Sequence, residues 1–189
     1  MRRQNPMCAA RLLMQRASML QWAPGKAEDT VILSFSPLNE QQARAILRWR
    51  YEPPYDMYNM QDENESVNLA TLINPDNRYY AITDERGGLL AYCCFGSEGR
   101  VPGGNYESPA LDVGMGMRPD LTGQGLGRHH LEAIRDFAVR QFHPTVFRVT
   151  IAAFNARALR LCEQAGFRET QSLVREGDGE AFVILLRGG

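Results

Sequence analysis

Apolar and polar positions follow two different periods along the chain. Runs with a period of two, and short apolar runs bounded by turn residues, predict strands at 31–37, 79–84, 89–95, 111–117, 146–153, 169–175 and 181–187. Apolar residues spaced three and four apart predict helices at 39–50, 66–73, 123–142 and 155–165. In the strand at 146–153, Phe147, Val149 and Ile151 share one face, and Arg148 and Thr150 share the other. This order of elements predicts an α/β fold with a mixed sheet.

Capping and turn residues define the ends of several elements. Asn39 and Asn155 are suited to cap helix N-termini, and Gly166 is suited to end a helix. The segment 51–59, YEPPYDMYN, contains two adjacent prolines, so it is predicted to be a loop or a broken helix. Residues 96–109 are rich in glycine and are predicted to form a flexible connection.

Composition narrows the class of protein. A length of 189 residues fits one hydrophobic core. The net charge of −1 gives no reason to expect nucleic acid as a partner, and no apolar run is long enough for a membrane span. The cysteines lack the spacing of a zinc site, so no metal is expected; they are Cys8, Cys93, Cys94 and Cys162. Free thiols are typical of a reducing compartment, so we expect a cytoplasmic protein.

The first 28 residues differ from the rest because they are rich in arginine and contain no acid before Glu28. They are interpreted as a basic N-terminal arm or extension, with an upstream start codon or a targeting segment as alternatives, of which targeting is the weaker. Residues 29–189 are predicted to form a single domain.

Glycines cluster where the strand at 111–117 passes into the helix that follows. Backbone N–H groups are uncovered at such a junction and the helix dipole adds positive charge, so the cluster 123–127, GQGLG, favours a phosphate-bearing ligand. The alternative is a tight turn into a packed helix. The glycine spacing differs from the dinucleotide fingerprint, and Arg128 and His129 stand where a Walker A motif needs Lys and Ser or Thr.

A second motif follows about thirty residues later and reads N-x-x-A-x-x-L-x-E-x-x-G-F between Asn155 and Phe167. The two motifs, in this order and spacing, resemble those of the GCN5-related N-acetyltransferase (GNAT) family, and the resemblance covers roughly 31–187. It implies a mixed, mostly antiparallel central sheet flanked by helices. It also implies that the strands at 111–117 and 146–153 splay apart to hold acyl-CoA.

The resemblance implies a set of cofactor-binding residues. The amides of 123–128 would cradle the pyrophosphate of coenzyme A, and the strand edge at 115–117 would pair with the pantetheine arm and polarise the thioester carbonyl. Gly114 and Gly116 would leave room for close approach of the ligand, or mark a bulge or bend. The cofactor residues predicted in this way are Met115, Gly116, Met117, Thr122, Gly123, Gln124, Gly125, Leu126, Gly127, Arg128, Asn155, Ala158 and Cys162.

Candidates for the catalytic acid and base are weaker, because the chain departs from the family at both positions. Cys162 stands where many members have a tyrosine that protonates the thiolate; it is a candidate acid, although packing is the favoured interpretation. Thr150 stands where enzymes acetylating ribosomal-protein N-termini have a glutamate. Asp112 is then the nearest candidate base, with an exposed strand-edge carboxylate or a water relay as alternatives.

The segment 51–59 is the candidate acceptor site. Tyr51, Tyr55 and Tyr58 could line a pocket for a cation, and Glu52 and Asp56 could pair with an ammonium group. The alternative is aromatic packing beneath a loop.

The resemblance, taken with these observations, implies an acetyl-CoA-dependent N-acetyltransferase that transfers acetyl to a primary amine of a small or amino-acid-like molecule in a direct ternary complex. A protein N-terminus is the alternative acceptor. A CoA-binding module without turnover and a nucleotide-binding protein are the competing classes. The apolar strand at 181–186 is compatible with either a monomer or a homodimer.

Overall fold

A computed structural model describes residues 32–60 and 64–189. The basic segment 1–28 and Cys8 lie outside these residues. The described part contains seven strands and four helices. In chain order they are β1 (Ser34–Pro37), α1 (Glu40–Leu47), α2 (Glu65–Ile73), β2 (Tyr79–Thr83), β3 (Leu89–Phe95), β4 (Leu111–Met117), α3 (Gly127–Phe142), β5 (Val146–Ala152), α4 (Ala156–Gln164), β6 (Arg168–Val174) and β7 (Ala181–Gly188). None of the helices in this part of the chain is long and apolar enough to cross a membrane.

The strands form one sheet in the order β1-β2-β3-β4-β5-β7-β6. Every neighbouring pair is antiparallel except β4 and β5, which run parallel. The predicted mixed, mostly antiparallel sheet is therefore confirmed.

The parallel pair β4 and β5 separates soon after it begins. Leu111 pairs with Phe147 and Asp112 pairs with Arg148, and no further pairs join the two strands although both continue. The predicted splay is thus present, and it opens directly beyond Asp112 and Arg148.

Local chemistry explains where the helices begin. Asn39 caps α1 in a reciprocal capping box with Gln42, and the Asn155 side chain accepts from the backbone N–H of Ala158 at the start of α4. Helix α3 begins at Gly127, four residues later than predicted. Gly123 and Gly125 have φ values of +77° and +81°, which favour a turn over a helix.

One pair of helices covers each face of the sheet. Helices α3 and α4 pack on the face that carries Val113, Met117, Phe147 and Val149, and α1 and α2 pack on the opposite side of β2 and β3. Because side chains alternate along a strand, Asp112, Gly114 and Gly116 face away from α3 and α4. The splay therefore has two different sides, one lined by α3 and α4 and the other open toward the segment 51–59.

Candidate functional site

The glycine turn between β4 and α3 presents a row of uncovered donors. Within the described residues, the backbone N–H groups of 123–128 donate to no oxygen. They lie at the N-terminus of a 16-residue helix, where the dipole favours a negative charge. Such a row of donors is suited to an anion such as a diphosphate, and the cofactor role of these positions stays a prediction.

Three predicted cofactor residues near this turn are engaged elsewhere. The Thr122 N–H donates to Pro119 O at 3.1 Å, and the Gln124 side chain donates to Asp120 O at 2.6 Å. Arg128 Nε donates to Glu132 at 3.0 Å on the exposed side of α3. These contacts stabilise the turn and the helix. The backbone N–H groups of 123–128 remain available to a phosphate.

The main chain of β4 points alternately toward β3 and into the splay. Gly96 N–H donates to Asp112 O and Arg118 N–H donates to Leu90 O, so the even-numbered residues of β4 exchange hydrogen bonds with β3. The N–H groups of Met115 and Met117 consequently face the gap beside β5. This is the edge predicted to pair with the pantetheine arm, and Met115 is 36 % exposed there.

The structure gives a different reason for glycine at positions 114 and 116 from the one predicted. A Cβ atom on Gly114 would lie 2.6 Å from Cys94 Sγ, and one on Gly116 would lie 2.3 Å from the Tyr92 ring. The register between β3 and β4 runs without a shift, so no bulge is involved. The glycines make room for two side chains of β3, and the space beside them is occupied by the protein itself.

Asp112 is a buried member of an ion-pair cluster, and the alternative of an exposed strand-edge carboxylate was wrong. It is 1 % exposed and Arg148 is 2 % exposed. Arg148 donates to both carboxylate oxygens, and Arg100 Nε donates to Oδ2 at 2.8 Å. Both guanidinium groups also lie against the Tyr106 ring, about 5 Å from its centroid. The cluster joins β4, β5 and the β3–β4 connection where the splay begins.

Cys162 packs in the core between α4 and the sheet. Its side chain is 5 % exposed and belongs to the apolar cluster beneath α3 and α4. Burial, with a smaller contribution from Glu163, raises the pKa of the Cys162 thiol to about 12. A thiol held neutral among apolar side chains is what the packing interpretation expects. The role of catalytic acid stays a prediction.

The segment 51–59 contacts both sides of the splay through its three predicted tyrosines. Tyr51 donates to Met117 O at 2.7 Å. The Tyr55 hydroxyl accepts from Arg157 at 2.8 Å, and the Tyr58 hydroxyl accepts from Asn155 at 3.1 Å. The fold thus brings all three together with the end of β4 and the start of α4.

The environment keeps two of these hydroxyls protonated. Burial raises the pKa of Tyr51 to about 12 and also raises the pKa of Tyr58. Glu52 and Asp56, the acids predicted to pair with an ammonium group, are exposed on the same segment.

Sequence reasoning missed several side chains at this site because they come from distant segments. Tyr79 of β2 and Tyr92 of β3 lie on the face opposite α3, and the Tyr79 hydroxyl donates to Glu98 at 3.1 Å. Thr150 shares a hydrogen bond of 3.1 Å with Tyr106. Only the alternation of β2 and β3 could have placed these tyrosines on one face. Nothing in the sequence indicated Glu98, which lies in the connection predicted to be flexible.

Within the ranges that the structure describes, no three His, Cys, Asp or Glu side chains form a group able to hold a metal.

Comparisons with known proteins agree with this geometry. A family model described as an acetyltransferase (GNAT) domain matches residues 16–168. No curated protein matches the sequence significantly.

Solved structures show the same fold at low sequence identity. A chimera of the spermidine N-acetyltransferase SpeG from Vibrio cholerae and hSSAT has a TM-score of 0.64 and 19 % identity over 82 % of this chain and 95 % of its own. The Vibrio cholerae enzyme in complex with CoA and spermine has a TM-score of 0.64 and 17 % identity over the same shares. A protein from Bordetella pertussis described as a GNAT-family acetyltransferase has a TM-score of 0.62 and 21 % identity, again over 82 % and 95 %.

Proposed function

The chain belongs to the GNAT acetyltransferase family, and from this premise we propose that it transfers an acetyl group from acetyl-CoA to a primary amine of a small molecule in a direct ternary complex. One observation carries the proposal. The uncovered amides of 123–128 lie at one end of a splay whose exposed edge is formed by the β4 main chain.

The donor half of the proposal follows from the positions of main-chain groups. The amides of the glycine turn would bind the diphosphate, and the β4 N–H groups that face the splay would pair with the pantetheine arm. One of those N–H groups would polarise the thioester carbonyl. Coenzyme A supplies the activated acyl group when bound, and the protein supplies orientation, which can lower the barrier without a dedicated side chain.

The acceptor half of the proposal rests on the chemistry of the side of the splay that is open toward the segment 51–59. Tyrosine hydroxyls and rings lie along it, and such groups bind ammonium ions by hydrogen bonds and cation–π contact. The structural neighbours named for spermidine acetylation act on a small cationic amine. We extend that class of acceptor to this chain, without choosing a particular amine.

A protein N-terminus is the less favoured acceptor. The enzymes of that class have a glutamate at the position of Thr150, and here the Thr150 hydroxyl is hydrogen-bonded to Tyr106. A threonine cannot serve as that base. A CoA-binding module without turnover is the second class of function, and it is separated from an enzyme by release of free CoA. Cytoplasmic location and a monomeric or homodimeric state stay predictions.

The test compares two glycine substitutions in the same assay. Gly125 and Gly179 have φ values of +81° and +74°, and no atom lies within 4 Å of a Cβ at either position. Glutamate at either site therefore carries similar backbone strain, and only Gly125→Glu places a negative charge at the phosphate-binding turn. We expect Gly125→Glu to weaken CoA binding at least about 100-fold, because the new charge repels phosphate and the side chain blocks its approach.

Calorimetric titration with CoA and release of free CoA in the presence of an amine panel are the two measurements. Gly179→Glu should bind CoA as the wild-type protein does. Binding of CoA without release by any amine would favour the module over the enzyme. Failure of the wild-type protein to bind CoA or acetyl-CoA would refute the proposal.

A further inference from the structure

Glu98 is a partly buried carboxylate with no cationic partner. Its Oε2 accepts from the Tyr79 hydroxyl at 3.1 Å, and the ion pairs of 32–60 and 64–189 do not include it. Arg100, two residues away, donates instead to Asp112. A carboxylate that is partly shielded from water and has no cation of its own is suited to pair with a cationic ligand.

Aromatic side chains surround this carboxylate. The Tyr79 and Tyr92 rings lie 6.1 Å apart, and Tyr92 also lies 5.9 Å from Trp49. Tyr79, Tyr92 and Glu98 are all partly exposed, so solvent reaches the group. No residue in the described part of the chain hydrogen-bonds to the Tyr92 hydroxyl. A carboxylate beside tyrosine rings and a hydroxyl without a hydrogen-bond partner is a suitable environment for an organic ammonium ion.

The group lies against β4 on the side of the splay opposite α3. The Tyr92 hydroxyl would be 2.8 Å from a Cβ on Gly116, and a Cβ on Gly99, the residue after Glu98, would be 3.2 Å from the backbone of Val113 and Gly114. The main-chain groups of Met115 and Met117 that face the splay are adjacent to these glycines. An ammonium group held here is thus next to the strand edge proposed to hold the thioester.

We propose that Glu98, together with the hydroxyls and rings of Tyr79 and Tyr92, binds the ammonium group of the acceptor. The inference rests on the proposed function and gives its acceptor a chemical class: an aliphatic amine that is cationic when it binds. In this proposal Glu98 replaces Glu52 and Asp56, because those two acids are exposed to solvent.

The site makes a prediction about charge. Removing the carboxylate's charge while keeping its shape should weaken amine binding at least about tenfold, because a hydrogen bond between charged groups is replaced by one to a neutral amide. The effect should not extend to CoA, whose proposed contacts are with β4 and the glycine turn.

The experiment measures binding of spermine and n-butylamine to the CoA-saturated protein by calorimetry. Glu98→Gln should lose at least about tenfold in affinity for both amines while its affinity for CoA and its thermal midpoint are unchanged. Glu107→Gln is the matched control, because Glu107 is an exposed glutamate of the same connection. Glu98→Asp, which keeps the charge on a shorter side chain, should recover part of the loss.

A second measurement does not depend on any variant. The wild-type protein should prefer n-butylamine to n-butanol, which has a similar size and no charge. Equal affinity for these two compounds, equal amine affinity in Glu98→Gln and the wild type, or no amine binding to a protein that binds CoA would each overturn the inference and leave the donor half of the proposed function intact. Absence of CoA binding would instead count against the proposed function itself.

Discussion

The two sides of the splay that we propose to bind the acetyl donor and the amine acceptor, called the donor and acceptor sides below, are built in different ways. The donor side consists of main-chain N–H groups from one stretch, 113–128, that leaves β4, turns through two glycines and enters α3. The acceptor side consists of side chains from β2, β3, the β3–β4 connection and the segment 51–59. A site made of backbone depends on chain direction and glycine positions, and it tolerates changes of side chain. A site made of side chains depends on how distant segments pack.

This difference can be tested, because substitutions on one side should change the affinity for CoA and substitutions on the other should change the binding of the amine. Changes to the glycine turn should alter affinity for CoA, and changes on the opposite face should alter binding of the amine. The Asp112–Arg148 pair lies where the two sides meet, so it should affect both through the stability of the fold.

Breaking the pair at this junction should have the largest effect. Asp112→Leu leaves the Arg148 guanidinium buried without its main partner, and we expect a loss of about 3–5 kcal/mol in the free energy of unfolding. The double variant Asp112→Leu with Arg148→Met removes both charges and should recover most of that loss. Denaturant titration of the single and double variants measures both values. If the double variant were as unstable as the single one, the loss of stability would come from the altered packing and not from the unpaired charge of Arg148.

The same double variant decides the predicted role of Asp112 as the base. Two guanidinium groups already hold both carboxylate oxygens, which favours a structural role. Amine-dependent release of CoA near the wild-type rate would establish that role. A fall of about 10²–10⁴-fold in a stable double variant would support Asp112 as the base.

The next largest effect should come from adding one methyl group to β4. A Cβ on Gly116 would lie 2.3 Å from the Tyr92 ring, so Gly116→Ala should cost about 1–3 kcal/mol and displace that ring. We expect the KM for the amine to rise while affinity for CoA changes little, because the Gly116 N–H faces β3. Combining it with Tyr92→Ala should relieve the clash and restore part of the stability, but not the amine KM.

Gly125→Ala is the contrasting change on the donor side. No atom lies near its Cβ, but its φ of +81° costs a side chain about 1–2 kcal/mol. Affinity for CoA should fall and the amine KM should stay unchanged. If Gly116→Ala and Gly125→Ala each altered the affinity for CoA and the KM for the amine equally, the division into two independent sides would be wrong.

The sequence was more informative about the donor side than about the acceptor side. The donor side is one continuous stretch of backbone, whereas the acceptor side is assembled from distant segments. The order of elements and the mixed sheet could be inferred from periodicity, because glycines and caps act on the chain near them. The splay was implied by the family resemblance that the two motifs carry. The start of α3 was placed four residues early, since apolar spacing does not show the positive φ of Gly123 and Gly125.

Side-chain partners across the sheet could not be inferred. Whether Asp112 is exposed depends on Arg148, 36 residues away, and on Arg100 in a connection without regular periodicity. Gly114 and Gly116 were interpreted as space for a ligand, because nothing in β4 itself reveals that Cys94 and Tyr92 fill that space.

Acidic pH should affect the donor side and not the acceptor side, through His130 at the start of α3. This is the smallest of the predicted effects. His130 lies in the first turn of α3, and its Nδ1 is 3.0 Å from Leu126 O, so Nδ1 carries the proton of the neutral ring. Its Nε2 is buried without a hydrogen-bond partner among the described residues. Burial, and secondarily the neighbouring His129, lower the pKa of His130.

Because the pKa of His130 is lower in the folded protein than in the unfolded chain, the unfolded chain binds the proton more readily. Stability should therefore be complete above about pH 6.5, the ordinary histidine value, and fall as the pH drops toward the folded pKa. His130→Asn keeps a donor for Leu126 O and cannot titrate, so its thermal midpoint should decline less than that of the wild type between pH 7 and pH 5. The raised pKa values of Tyr51, Tyr79 and Tyr92 leave their hydroxyls unchanged over this range. The thermal midpoint should thus fall more steeply in acid where His130 is present, and parallel curves for the wild type and His130→Asn would show that His130 is not the source of the acid sensitivity.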